Sequence, residues 1–571
     1  MSFYPVPSSL ASAAPGGEGG VPAAAAGGAM MIAVRAADLV SPTGRPLGDG
    51  DRSALVAGGT EKIRSGELVV FCKVVAVAPA KACRDGRIQA RGNPCDHARL
   101  GVIEERLDEI AGPDAIGRLA RGTRLGGMVK GTKTRLVTTP FALRGILLMT
   151  LMPDADYTEV MTALAGDLAA MPWAAAWHVP SPRVFSAWRQ AIGPGPLETV
   201  QEAVLRAACA EHQDHDYRAV QVGDLRAGAA DGTLTRMPDT PGNRAAFGSA
   251  GTADDSAPYP QLRGLLLTDA STRATLGVTY GPSGGDKAEA EQGLLDRAMD
   301  ECPWLFTKDR LWIMDRNFPG AERISRLIRR THVLIRVKSD IKLTRAGDFL
   351  PDGSYLADIS GGGVTVRVRV IEYWVDVEGQ DVPELFCLIT DLDDHGAYPA
   401  GDLAAAYKWR WDGSETALRE GKSALDGAGP STGPMFRSRS PQMVRQEHAA
   451  WITATELVRS TIRAAARQAA PAGKGRRAGQ PVHPREISFT AARRAAVTAA
   501  RNGTATASLP RCTISAASRA VIAGIGRRRF TIDRDRHRDH KTKARQPFEK
   551  AHRETPTRTA AAKITICCPA A

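Results

Sequence analysis

The segment from Leu262 to Lys338 limits the fold more than any other, because apolar runs too short to be helices alternate in it with runs of helical period. Leu262 to Thr268 and Thr275 to Tyr280 read as a β-hairpin, residues 286–299 as a helix, and Leu311 to Met314 as a short buried strand ending at Asp315. A helix over residues 321–329 and a strand over residues 332–338 follow. Strands separated by helices predict an α/β architecture. Short strands near Gly347, Tyr355, Val364 to Val377 and Leu385 to Thr390, with almost no helical pattern among them, predict a β-rich insertion at about 341–390. A helical run from Leu403 to Leu425 closes the unit, and another helix is expected over residues 449–465.

Upstream the period is helical throughout. Leu100, Ile103, Leu107 and Ile110 recur at three and four residues, and further apolar stretches follow between prolines 153, 172, 180, 182 and 194. This predicts an all-helical unit over residues 96–218. Within it, Ser181-Pro182-Arg183 opens a helix carrying Arg183, Ser186, Arg189 and Gln190, residue types that read DNA from a helix-turn-helix and that also suit an ordinary surface helix. Residues 1–95 are rich in Gly, Ala and Pro and are expected to be mostly disordered apart from one short strand within Val69 to Val77. The α/β unit spans residues 219–465, leaving a tail over 466–571.

Charge is unevenly placed. The 571 residues carry a net +13, yet residues 470–571 hold 22 Lys and Arg against 6 Asp and Glu, so the remainder is slightly acidic. A basic surplus held in one tail suits either a solvated, disordered segment or an arm for a polyanion such as DNA. Nine cysteines without a repeated Cys-x-x-Cys pair fit reduced thiols of a cytosolic protein. No apolar run reaches the roughly 18 residues that span a bilayer, and the N-terminal residues lack the pattern of a secretory signal, so no membrane partner is expected.

The chemistry rests on carboxylates. Hydrolysis of a phosphodiester without a covalent intermediate is commonly run by two divalent cations, whose oxygen ligands come from distant parts of a chain. Asp315, at the end of a buried strand, is well placed for this, although an Asp before Pro319 also suits a turn. Asp231, in Asp231-Gly232-Thr233, follows a segment poor in β-formers and doubles as a hairpin-turn signature. Asp269 ends a better strand, and pattern alone leaves the choice between the two open. Glu415 and Lys422 lie seven residues apart, which on a helix offsets them by about 20° and places them on one face. Asp412 to Glu415 also resembles a capping box.

Together these residues resemble the insertion-sequence-4 family of bacterial DDE transposases. The resemblance runs over roughly residues 100–465 and rests on Asp231-Gly-Thr-Leu234, Pro238 to Phe247, Asp315-Arg-Asn-Phe318 and the run from Tyr407 to Lys422. The family signature is Tyr-x2-Arg-x3-Glu-x6-Lys. It implies a ribonuclease-H-like catalytic core interrupted by a β-strand insertion and preceded by a helical DNA-binding domain. Asp231, Asp315 and Glu415 would then be catalytic and would hold two divalent metal ions, Mg2+ or Mn2+; this decides for Asp231 over Asp269. Tyr407, Arg410, Trp411 and Lys422 would contact DNA. The implied activity is metal-dependent cleavage and strand transfer at the terminal inverted repeats of an insertion element, by a homodimer assembled on double-stranded transposon ends and target DNA, in the bacterial cytoplasm and associated with the nucleoid. A catalytically inactive relic that retains only DNA binding is the alternative. One feature departs from the family: four residues, Trp411 to Ser414, separate Arg410 from Glu415 where the signature has three. On a continuous α-helix a five-residue step turns Arg410 about 140° away from Glu415. Gly413 would absorb the extra residue either through a bulge or by letting the helix start later.

Overall fold

The computed structural model describes residues 98–123, 137–165, 178–214, 221–249, 259–284, 287–377, 384–422, 435–468, 483–501 and 562–566, with short strands between residues 25 and 88. Contacts divide the chain into two compact units, one of Met1–Val200, Ala449–Thr461 and Ala491–Ile525, the other of Gln201–His448, Ile462–Thr490 and Gly526–Ala571.

The second unit is built on one large sheet. Its principal strands are β1 (Leu225–Arg236), β2 (Gln261–Asp269), β3 (Thr275–Pro282), β4 (Arg310–Met314), β5 (His332–Arg336), β6 (Thr344–Phe349), β7 (Tyr355–Gly361), β8 (Val364–Val377), β9 (Glu384–Thr390) and β10 (Ala562–Ile566). They lie in the order β3-β2-β1-β4-β5-β9-β8-β7-β6, with β10 beside β8. β1 pairs parallel with β4, and β4 parallel with β5; the other neighbours are antiparallel.

β1 forms despite its weak β-propensity because it is central. Alternate residues enter opposite cores: Ala227 packs with Leu311, Ile313 and Leu334, whereas Ala230 packs with Leu265, Leu267 and Trp312. A strand covered on both faces needs side chains that fit, and here small ones do. Asp231-Gly232 is therefore mid-strand, paired with Leu266 and Leu265, and is not a hairpin turn.

The helices are α1 (Val102–Ala111), α2 (Ala115–Gly122), α3 (Thr139–Met149), α4 (Tyr157–Ala165), α5 (Pro182–Ile192), α6 (Gly195–Asp214), α7 (Pro241–Phe247), α8 (Glu291–Glu301), α9 (Ala321–Ile328), α10 (Ala400–Tyr407), α11 (Thr416–Lys422), α12 (Pro441–Gln468) and α13 (Phe489–Arg501). Against one sheet face, α8 and α9 bury Leu294, Leu295, Ala298, Ile324 and Leu327. Against the other, α10 buries Leu403, Ala404 and Tyr407. The sequence Pro238 to Phe247 serves structure: Thr240 caps α7 through Asn243 N at 3.2 Å, and buried Asn243 donates to the carbonyls of Pro238 and Ser438.

In the first unit, α5 starts as expected, with Ser181 as N-cap and Arg183 and Gln190 exposed. Arg189 differs from its expected place on a DNA-reading surface. It is fully buried, donating to the Tyr157 hydroxyl and lying over that ring.

Two stretches of the tail expected to be disordered form regular structure. α13 buries Ala492, Ala496 and Ala500, one turn apart. β10 pairs with β8 from Tyr373 to Val377, beyond Val370 where pairing with β7 stops, and so covers an edge that β8 would otherwise leave open. The expected disorder of residues 1–95 lies mostly outside the described residues, as do Arg527 to Arg529 and Arg534 to Arg538; Leu68–Phe71 pairs antiparallel with Ile32–Arg35. Among the described residues no helix is long and apolar enough to cross a membrane.

Candidate active site

Strand alternation fixes the first carboxylate. Asp231 shares parity with Ala227 and Ala229, so it points to the sheet face on which α10 packs. Asp315 follows β4, the parallel neighbour of β1, and its Oδ1 accepts from Asn317 N at 2.7 Å. Two adjacent parallel strands thus bring acidic groups 84 positions apart in the chain to the place where β4 ends beside the middle of β1.

The third comes from the helical run after α10, which is not one helix. Trp411–Glu415 is a π turn between α10 and α11. A π turn closes i to i+5, so the inserted residue is taken up within the helix and residues five apart come to lie over one another. Arg410 Nη2 accordingly reaches Glu415 Oε1 at 2.9 Å, while its Nη1 lies 3.3 Å from Asp231 Oδ2. The turn is held against the sheet. Thr268 Oγ1 on β2 donates to Gly413 O at 3.1 Å, and a Cβ at Gly413 would stand 2.8 Å from the Ala270 Cα. Only glycine lets the two backbones approach so closely.

Ser414, which occupies the family's spacing counted forward from Arg410, is fully buried. Its Oγ lies 3.1 Å from Asp231 Oδ2 and 2.7 Å from Arg410 O, so its single proton serves one acceptor at a time. Glu415 is the more open, with a side chain 43% exposed against 15% for Asp231.

The electrostatics follow from this crowding. Burial pushes the Asp231 carboxyl up to about 6; Arg410 and the Ser414 hydroxyl work against the rise, and Glu415 and Asp315 add to it. Arg410 is buried over the Trp411 ring at 4.6 Å and is held charged by Tyr407, Asp231, Glu415 and Asp315 in spite of its desolvation.

Tyr407 is not on the surface where a DNA contact would place it. It is 2% exposed, packs edge-on to Phe386 and Trp411, and takes a hydrogen bond from Arg410; burial pushes its phenol up to about 12. Its place in the core explains this, since α10 turns Leu403, Ala404 and Tyr407 to one apolar face. Tyr407 therefore bears on the site through Arg410. Trp411 is half-buried, and half-buried Lys422 ends α11. The competing carboxylate, Asp269, is a turn cap: its Oδ1 accepts from the amides of Ser271 and Thr272, each at 2.7 Å.

A fourth carboxylate was not singled out from the sequence. Glu291, the first residue of α8, lies against Gly232 so closely that a Cβ there would stand 2.0 Å from its Oε1. Burial and then the charge of Asp315 raise its carboxyl above the usual range, and it is hydrogen-bonded to Asn317. An acidic residue in a helix's first turn looks unremarkable in sequence, because the helix dipole favours it there regardless of function. Only its tertiary approach to Gly232 reveals it.

Asp231, Asp315 and Glu415 carry only oxygen donors, the kind hard divalent cations require. Among the described residues no three His, Cys, Asp or Glu side chains stand close enough to hold a metal ion as arranged, and Arg410 bonds to two of the three carboxylates. The donor chemistry fits such ions, with Arg410 supplying the positive charge in the arrangement seen.

No protein-family model matches the chain. It is similar to the transposase InsG of insertion sequence element IS4 from Escherichia coli (strain K12), with 24% identity over 249 residues, 40% of this chain and 51% of that protein. The chain thus spans about half the length of this curated relative. A cryo-EM structure of the piggyBac transposase synaptic complex with hairpin DNA superposes with a TM-score of 0.38 at 12% identity, covering 76% of this chain and 85% of that one. The insertion-sequence-4 resemblance read from the sequence is borne out: the chain is similar to a transposase of this kind.

Proposed function

We propose that this relative of the insertion-sequence-4 transposases is itself a DNA transposase, which binds the terminal inverted repeats of an insertion element and catalyses metal-dependent cleavage and strand transfer. The observation that carries the reading is the π turn, which joins Glu415 to Asp231 through Arg410 although the spacing is one residue out of step. The strand order β3-β2-β1-β4-β5, with β1, β4 and β5 parallel and β2 antiparallel to β1, supports a ribonuclease-H-like core extended by β6 to β9.

In this reading Asp231, Asp315 and Glu415 are the catalytic carboxylates and would hold two divalent ions, Mg2+ or Mn2+. When bound, such ions supply an activated oxygen nucleophile and charge for the leaving oxygen. The chain's own side chains position the substrate. Lys422, one face along from Glu415, and Trp411 bear on the DNA by charge and stacking. Arg410 neutralises the carboxylates and is free to shift to a phosphate once other positive charge arrives. Tyr407 holds Arg410 from below. The helical unit presents Arg183 and Gln190 of α5 to DNA, and two copies assemble on paired ends in the bacterial cytoplasm.

Purified protein incubated with end-containing duplex and Mg2+ or Mn2+ should nick at the element boundary. Asp315→Ala should bind the duplex as before and cut nothing; unchanged cleavage by that variant sinks the assignment. A second reading, a relic that binds ends without cutting, is favoured by the two ion pairs of Arg410, which engage two of the three carboxylates. Intact end binding with no Mn2+-dependent cleavage by the wild type would decide for it.

A further inference from the structure

In the first unit a cavity of about 550 Å³ opens at the N-terminal end of α3. The charged groups lining it are Arg99, Arg121 and Arg144 against one carboxylate, Asp114. Arg144 is 2% exposed; its Nε donates to Glu104 Oε2 at 2.9 Å and its Nη2 to Glu104 Oε1 at 2.5 Å. Its Nη1 is buried without a hydrogen-bond partner among the described residues. Thr138, the N-cap of α3, makes no capping bond, and its buried Oγ1 also has no partner there. No acidic side chain occupies the first turn of α3, so the positive end of its dipole faces the cavity without a counter-charge of its own.

Buried donors of this kind are costly unless something accepts from them. Guanidinium N–H, a hydroxyl and a helix N-terminus are the groups that bind phosphate oxygens. Burial and then the charge of Arg144 hold the Arg99 guanidinium below its usual range, against the opposing pull of Glu104, Asp114 and Asp108. Asp114 is engaged by Arg121 at 3.1 Å on the open side, where both are exposed and easily rearranged.

We infer that this cavity is an oxyanion site that holds one backbone phosphate of bound duplex DNA, an inference that rests on the DNA-binding reading above. Arg121→Gln and Thr138→Val, made separately in the full chain and checked for folding by circular dichroism, both leave the Arg144–Glu104 pair intact. Loss of one neutralised phosphate in Arg121→Gln should weaken binding roughly eightfold at 0.1 M salt and flatten the log–log salt slope by about 0.9. Thr138→Val should weaken binding in the same direction. End-containing and unrelated duplexes should respond alike, because phosphate contacts carry no sequence. Wild-type affinity and slope in both folded variants would overturn the site while leaving DNA binding intact. If the wild type binds no duplex, the DNA reading fails and inorganic phosphate decides the cavity. Saturable thermal stabilisation by phosphate that the variants lack supports the site, and an equal response or none overturns it.

Discussion

Replacing Asp231 by Asn should make the protein more stable at neutral pH while abolishing cleavage. The reason lies in the raised carboxyl. Its folded value of about 6 stands above the ordinary 3.8, and at 1.36 kcal/mol per pH unit that gap is worth roughly 3 kcal/mol. The sign follows from proton uptake. Below about pH 4 the carboxyl is protonated in both states and costs nothing. Between pH 4 and 6 the unfolded chain gives up its proton first, so stability is lost as pH rises, and above 6 the full cost remains. Asn has nearly the same shape and can still accept from Ser414. Arg410 is not stranded, because Glu415 stays 2.9 Å away. The variant should therefore gain roughly 3 kcal/mol at pH 8 and nothing near pH 4. By scanning calorimetry that is a rise of about 6–12 °C for a transition of 150–250 residues, shrinking to zero in acid. Divalent cations should close most of the gap. Mn2+ at about 100 times its dissociation constant should stabilise the wild type by about 2.7 kcal/mol and leave Asp231→Asn unmoved. A variant less stable at pH 8, or a gain independent of pH, would refute the electrostatic account of this site.

The two crowded glycines should part company. Gly413→Ala meets the Ala270 backbone and should cost about 1–3 kcal/mol, whereas Gly232→Ala meets only the Glu291 side chain, from Cγ to Oε1, which can swing aside, and should cost less; thermal melts of both variants compare them. Arg410→Met removes the cation that opposes the rise of Asp231, so the alkaline-going limb of the cleavage pH profile should move above its wild-type midpoint. Burial lowers His448 to about 3, so the unfolded chain takes up a proton near 6.5 that the folded chain refuses, and stability falls as pH drops from 6.5 towards 3. His448→Phe should flatten that acid loss, and urea melts across pH 4–7 would register it.

The sequence by itself determined what depends on neighbours a few residues away. Apolar period separated the helices α1 to α6 from the strands that follow, and the buried run Leu311 to Met314 placed Asp315 at a strand end, because period is a local property of each face. The family spacing singled out Asp231, Asp315 and Glu415 and carried nothing about their geometry. What remained was decided by contacts between residues far apart in the chain. Asp231 lies in a strand rather than a turn only because β1 is covered on both faces, and Asp269 caps a turn. Arg189 and Tyr407 are buried because their neighbours Tyr157 and Phe386 lie on other elements. Glu291 comes under the charge of Asp315 because α8 sets it against Gly232, and β10 is a strand because β8 outruns β7. The same division runs through Arg410 and Glu415. Their spacing announced a misfit, and the approach of Gly413 to Ala270 accompanies the π turn that resolves it, since a helix accepts an inserted residue when packing holds the widened turn in place.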